Sequence, residues 1–78
     1  MSGREEIRGA IARFLKKPVE RVTDGTMLTD LVQESFVLVE MVIELQETFG
    51  VRFGQAELSS VKSVGELIEL VARTKHVG

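Results

Sequence analysis

A chain of 78 residues is the size of one domain, near the lower limit at which a single core gives a few kcal/mol of net stability. It has no cysteine, which excludes a disulfide framework and a thiolate metal site, and its one histidine is His76, close to the C-terminus. The formal net charge of -2 hides a segregation: from Asp24 to Gly50 the acids Asp24, Asp30, Glu34, Glu40, Glu44 and Glu47 stand without a Lys or Arg, which argues against nucleic acid and for a basic protein surface as partner.

The apolar spacing predicts an all-α fold, a small four-helix bundle of three main helices and one short one. Ile7, Ile11, Phe14 and Leu15 predict a first helix over residues 3–16. Ser2 and Glu5 are spaced for a capping box, Lys16 and Lys17 suit its C-terminal end, and Pro18 disfavours continuation. Residues 18–34 read as a long connection with a turn at Asp24-Gly25 and apolar anchors at Val19, Val22, Met27, Leu28 and Leu31. A loop of this length is functional or packed by its own side chains. Residues 35–49 give the most regular helix, with Leu38, Val39, Val42, Leu45 and Phe49 in one apolar arc and Glu40, Glu44 and Glu47 opposite. Val37 and Met41 fall at the edge of the acidic stripe, where partial exposure is expected. Gly50 supplies the stop.

Residues 55–60 predict the short helix. Ser63 and Glu66 have capping-box spacing and open a last helix with Val64, Leu67, Ile68 and Val71 on its apolar face. Residues 76–78 are expected to fray. Short connections between apolar-faced helices argue for one bundle over residues 1–78. No apolar run approaches the roughly 20 residues that span a bilayer, and no signal peptide is read at the N-terminus. The expectation is a soluble, cytoplasmic protein with no membrane partner, working as a monomer.

Catalysis needs converging nucleophiles, bases or ligands, and a Ser-His-Asp arrangement here would have to recruit His76. There is no G-x-S-x-G elbow, Walker loop or G-x-G-x-x-G. Three carboxylates in one row of a helix are ordinarily a solvated face, so neither an enzyme nor a metal site is expected. Ser35 has two readings. It is an N-cap whose oxygen accepts from the first-turn N–H groups, or it is an exposed modification site. A phosphodiester there would gain from the same N–H groups and the helix dipole.

The surroundings favour the second reading. The run Leu28-Thr29-Asp30-Leu31-Val32-Gln33-Glu34-Ser35-Phe36 leads into a helix ending Glu47-Thr48-Phe49-Gly50-Val51. This resembles the phosphopantetheine-attachment region of acyl carrier proteins, with Leu-x-x-Asp-Ser-Leu before an acidic helix ending Glu-x-x-Phe-Gly-Ile/Val. Ser63-Val64-Gly65-Glu66 looks like that family's Thr-Val-Gly-Asp entry to its last helix, and the likeness covers nearly the whole chain. The resemblance implies a free-standing carrier. Ser35 receives 4′-phosphopantetheine from coenzyme A through a separate phosphopantetheinyl transferase, and the arm's thiol holds acyl cargo as a thioester. It implies partner contacts at Glu34, Phe36, Val37, Glu40, Met41, Glu44 and Glu47 with basic patches on acyl-loading, condensing and modifying enzymes. Phe36, Val39, Leu45, Phe49, Val64 and Ile68 match positions that line the family's core.

Four departures stand out. Glu34 replaces the usual Asp, Phe36 replaces Leu or Met, Val37 stands where many fatty-acid carriers have an acid, and Gly54 stands where proline is common. They suggest a dedicated carrier for a specialised pathway. Val32-Gln33-Glu34-Ser35 lacks the Gly-Gly-His/Asp-Ser pattern of peptidyl carriers, which disfavours aminoacyl cargo. The competing readings are an unmodified interaction module docking a basic partner through its acidic helix and, more distantly, an independent hydrolase.

Overall fold

The computed structural model describes residues 3–75, in which five α-helices and a 3-10 turn pack around one core. The expected Ser2 cap and the fraying of residues 76–78 fall outside the described residues. Helix α1 spans Gly3–Leu15. A 3-10 turn at Val19–Arg21 and a one-turn helix α2 at Leu28–Leu31 follow. Helix α3 spans Ser35–Phe49, α4 Gln55–Ser59 and α5 Val64–Lys75. The all-α bundle of three long helices and a short α4 is as expected. The 3-10 turn and α2 inside the long connection were not anticipated, because runs this short carry no readable period.

Helix α1 ends in a Schellman turn. The N–H of Lys17 donates to the Ala12 carbonyl at 3.0 Å and that of Lys16 to the Arg13 carbonyl at 3.2 Å. The turn needs a left-handed residue, and Lys16 takes it at φ 58°. A side chain there is strained against its own carbonyl. Lys16→Gly is expected to stabilise the protein by about 0.5–1 kcal/mol, less than the full strain because glycine also loosens the unfolded chain. A urea midpoint that stays put or falls would count against this account. Helix α3 closes through the same region of φ/ψ space, at Gly50 with φ 67°, as its glycine predicts.

The core joins α1, α3 and α5 with the long connection. Ile7, Ile11, Val22, Met41, Val64, Leu67, Ile68 and Val71 are all fully buried, and Leu45 nearly so. Of the connection's five expected anchors, Val22 and Leu28 are buried and Leu31 is half-buried, whereas Val19 and Met27 are exposed. Val32 is buried instead.

Hydrogen bonds fix the connection's course. Arg8 on α1 donates to the Val22 carbonyl at 2.7 Å and to Asp24 Oδ1 at 2.6 Å. The N–H of Leu28 donates to the Lys62 carbonyl and that of Val64 to the Thr26 carbonyl, both at 2.9 Å, around a bridge between Met27 and Ser63. The N–H of Gly65 donates to the Asp24 carbonyl at 3.0 Å, and a Cβ at Gly65 would sit 3.0 Å from Asp24 Cβ. A side chain at position 65 would crowd Asp24 and force the connection to give by a few tenths of an ångström. The capping box predicted for α5 forms, with the Glu66 N–H donating to Ser63 Oγ and the Ser63 N–H to Glu66 Oε1, each at 3.3 Å.

Candidate functional site at the start of the acidic helix

The chain reaches Ser35 from a fixed point. Val32 closes α2, its N–H donating to the Leu28 carbonyl at 2.8 Å, and its buried side chain pins the chain to the bundle. Gln33, Glu34, Ser35 and Phe36 then all lie exposed. Glu34 is extended, at φ -106° and ψ 127°, and holds the capping position, while Ser35 is the first residue inside α3. No side-chain cap is made at this helix start. The ordinary role of Ser35 as an N-cap is therefore not the one it has. Its hydroxyl stands in solvent, and no acid occupies the first turn of α3.

The face of α3 turned to the core differs from the expected one. Met41, expected at a half-exposed edge, is fully buried, with Val42 and Leu45 beside it. Val39, expected in the core arc, is 55% exposed, and Phe36, matched to a core position, is 61% exposed. Leu38 and Phe49 are half-buried. At about 100° per residue, these burials mean the helix is rolled by roughly half a residue's turn from the expected orientation. Met41 consequently gives nothing to a docking partner. Val37 is half-buried and keeps part of its expected exposure.

The roll brings a different apolar set to the surface. Phe36, Val39 and Ile43 follow i, i+3, i+7 spacing and are all exposed, so they form a stripe running down α3 from Ser35. Glu40, Glu44 and Glu47 lie exposed beside it. Asp24 is not part of this acidic surface, because Arg8 pairs with it at 2.6 Å. Glu44 lines a shallow hollow between α1 and α3 together with Arg13, and Glu47 lines another with Arg52, so Glu40 is the least compensated of the three acids.

Behind the stripe lies a cleft of about 380 Å³ that sequence reasoning missed. Leu38, Val39, Val42 and Ile43 form one wall, and Phe53, Leu58, Val61 and Leu67 face them. The cleft exists because the short α4 stands off α3. Its one readable signal was an excess of apolar residues on α3 over what a single core face needs.

Among the described residues, no helix is long and apolar enough to cross a membrane. Residues 5–71 match the family model described as the phosphopantetheine attachment site. The polyketide-8 synthase acyl carrier protein 2 of Streptomyces avermitilis is 33% identical over 69 residues, 87% of this chain and 79% of the relative. An acyl carrier protein of Saccharopolyspora erythraea is 36% identical over 67 residues, 85% of this chain and 70% of the relative. One from Thermotoga maritima is 26% identical over 78 residues, 94% and 96% of the two chains. An exposed serine opening an acidic helix, within a bundle that matches this model over most of its length, makes the chain a member of the acyl carrier protein family, with 4′-phosphopantetheine as its cofactor.

Proposed function

We propose that this protein is a dedicated carrier of acyl intermediates in a polyketide or related specialised pathway, with Ser35 as the point of attachment. The observation that carries this reading is the exposed, uncapping Ser35 at the head of α3. The residues fit the group. The hydroxyl is open to a modifying enzyme, and a helix start offers unpaired N–H groups and the positive end of its dipole to a phosphodiester.

Attachment forms a bond from Ser35 Oγ to the phosphorus that carries the pantetheine half of coenzyme A. The pyrophosphate bond breaks, adenosine 3′,5′-bisphosphate leaves, and the hydroxyl proton passes to the transferase's base. The arm's terminal thiol, once present, holds an acyl group as a thioester. This chain's own residues present the serine, recognise partners and supply no catalytic group.

Recognition is assigned to Glu34, Phe36, Val37, Glu40, Glu44 and Glu47, with Val39 and Ile43 taking the place expected of Met41. A carrier must visit several enzymes and leave each of them. Exposed acids speed encounter with a basic patch and weaken with salt, and a short apolar stripe adds modest area at the contact. The enlarged Phe36 beside Ser35 and the uncharged Val37 distinguish this surface from that of a general fatty-acid carrier and support the specialised reading. We assign the work to a monomer, one domain over residues 1–78, in the cytoplasm.

The test is an intact mass after incubation with coenzyme A and a promiscuous phosphopantetheinyl transferase, with Ser35→Ala alongside. The wild type is expected to gain one arm and the variant none. Because Ser35 makes no cap, Ser35→Ala is also expected to keep its stability within about 0.5 kcal/mol. A wild type that stays unmodified with several transferases would favour an unmodified module that docks through α3.

A further inference from the structure

A helix start with no cap is free to fray, and in α3 the first residue is the one that carries the chemistry. Ser35 opens the helix with no side-chain cap, and Gln33, Glu34, Ser35 and Phe36 are all exposed. The Val37 and Leu38 N–H groups donate to the Glu34 carbonyl at 3.1 and 3.3 Å, and these are the bonds that begin the helix. Burial of residues 33–36 therefore does not hold Ser35 in place. Going back along the chain, the first buried residue is Val32, 7% exposed.

Val32 is suited to anchoring. It is extended, at φ -127° and ψ 109°, a conformation in which a β-branched side chain is favoured and stiff. Its N–H donates to the Leu28 carbonyl at 2.8 Å. The Leu28 N–H donates in turn to the Lys62 carbonyl, and Met27 pairs with Ser63, so the anchor is itself tied to the entry of α5. Val32 stands outside the core cluster that joins α1, α3 and α5, so its burial belongs to this corner of the molecule.

We propose that Val32 is a positioning residue for the attachment reaction, anchoring the uncapped start of α3 and so fixing where Ser35 Oγ lies relative to the docking face of that helix. The proposal rests on the reading of Ser35 as the attachment point. It deepens that reading by naming what orients the serine.

Positioning and docking separate in the kinetics. Glu40, Glu44 and Glu47 lie more than a turn beyond Ser35 on α3, out of reach of a local fraying. Loss of the anchor leaves them in place. It lets the serine leave the geometry in which its hydroxyl meets the phosphorus of coenzyme A, and a small misplacement of a reacting atom costs rate steeply.

Val32→Ala is compared with Val32→Ile, which preserves the branched side chain, and with Val51→Ala. Val51 is 5% exposed, lies just past the far end of α3, and loses the same two methyl groups. Modification by a promiscuous transferase is followed with the carrier as the varied substrate, at a temperature where all four proteins are folded. Val32→Ala is expected to lower kcat about 10-fold with KM within about 2-fold, while Val32→Ile and Val51→Ala hold kcat within about 2-fold of wild type. Hydrogen exchange at the Val37 and Leu38 amides should quicken about 10-fold in Val32→Ala and stay unchanged in Val51→Ala, because it reports local opening of the helix start. In the wild type, the backbone order parameter at Ser35 should be near the rigid value of about 0.85, a readout that needs no variant.

An unchanged kcat in Val32→Ala, a loss confined to KM, an equal loss in Val51→Ala, or an order parameter at Ser35 below about 0.6 would each overturn the role of Val32 and leave the carrier reading standing. A wild type that takes no arm would overturn the carrier reading, and this proposal with it.

Discussion

Met41→Ala is expected to lower the unfolding free energy by about 2–5 kcal/mol, whereas Val39→Ala, two residues away on the same helix, should change it by less than about 0.5 kcal/mol. Met41 is fully buried in the cluster that joins α1, α3 and α5. Truncating it removes apolar contacts and opens a cavity that a close-packed core closes only in part. Val39 is 55% exposed, so its truncation removes little that was buried. In a 78-residue domain the Met41 loss is a large share of all the stability available, and the variant should be partly unfolded at physiological temperature. Chemical denaturation followed by circular dichroism checks both variants. Equal costs at the two positions would mean that α3 is not rolled as described, and the surface assigned to partners would have to be redrawn.

Reversing Glu40 and Glu47 together to Lys should slow modification by the transferase on the order of ten-fold at low salt, with helix content and melting unchanged. Both residues are exposed, and neither forms a salt bridge with a described residue. Their removal therefore costs the fold little. Glu44 and Glu47 share hollows with Arg13 and Arg52, so a lysine at either also meets a like charge, and Glu40→Lys alone serves as the control without one. The loss should appear mainly in kcat/KM, because long-range attraction acts on encounter. It should shrink as salt rises, since the Debye length is only ~8 Å at physiological ionic strength. A salt-independent loss would point to a lost short-range contact. An unchanged rate would remove the acidic face from the recognition surface.

The extents of the main helices were legible because their signals are local. Pro18 after two lysines marked the end of α1, Gly50 the end of α3 at its left-handed turn, and Ser63 with Glu66 the start of α5. Most of the buried face of α5 followed from period, with Val64, Leu67, Ile68 and Val71 on it, whereas Leu70, buried at the edge of that arc, did not. Helix α3 is different. It carries apolar residues around most of its circumference, so period allowed several orientations, and the expected one buried Val39 and exposed Met41.

The sequence by itself determined the all-α class, the bounds of α1 and α3 to within a residue, the start of α5, the acidic character of α3 and Ser35 as the candidate site. All of these rest on neighbours within a turn or two along the chain, or on charges that need no partner. Tertiary structure alone decided which apolar residues of α3 face inward. The packing of α1 and α5 selects one roll of the helix, and hydrophobicity has no direction of its own. It also decided that Ser35 is uncapping and exposed, that Arg8 removes Asp24 from the acidic surface, and that α4 stands far enough from α3 to leave a cleft with Gln46 in its wall. Those features depend on the distance between segments remote in sequence, which packing sets and local pattern does not encode.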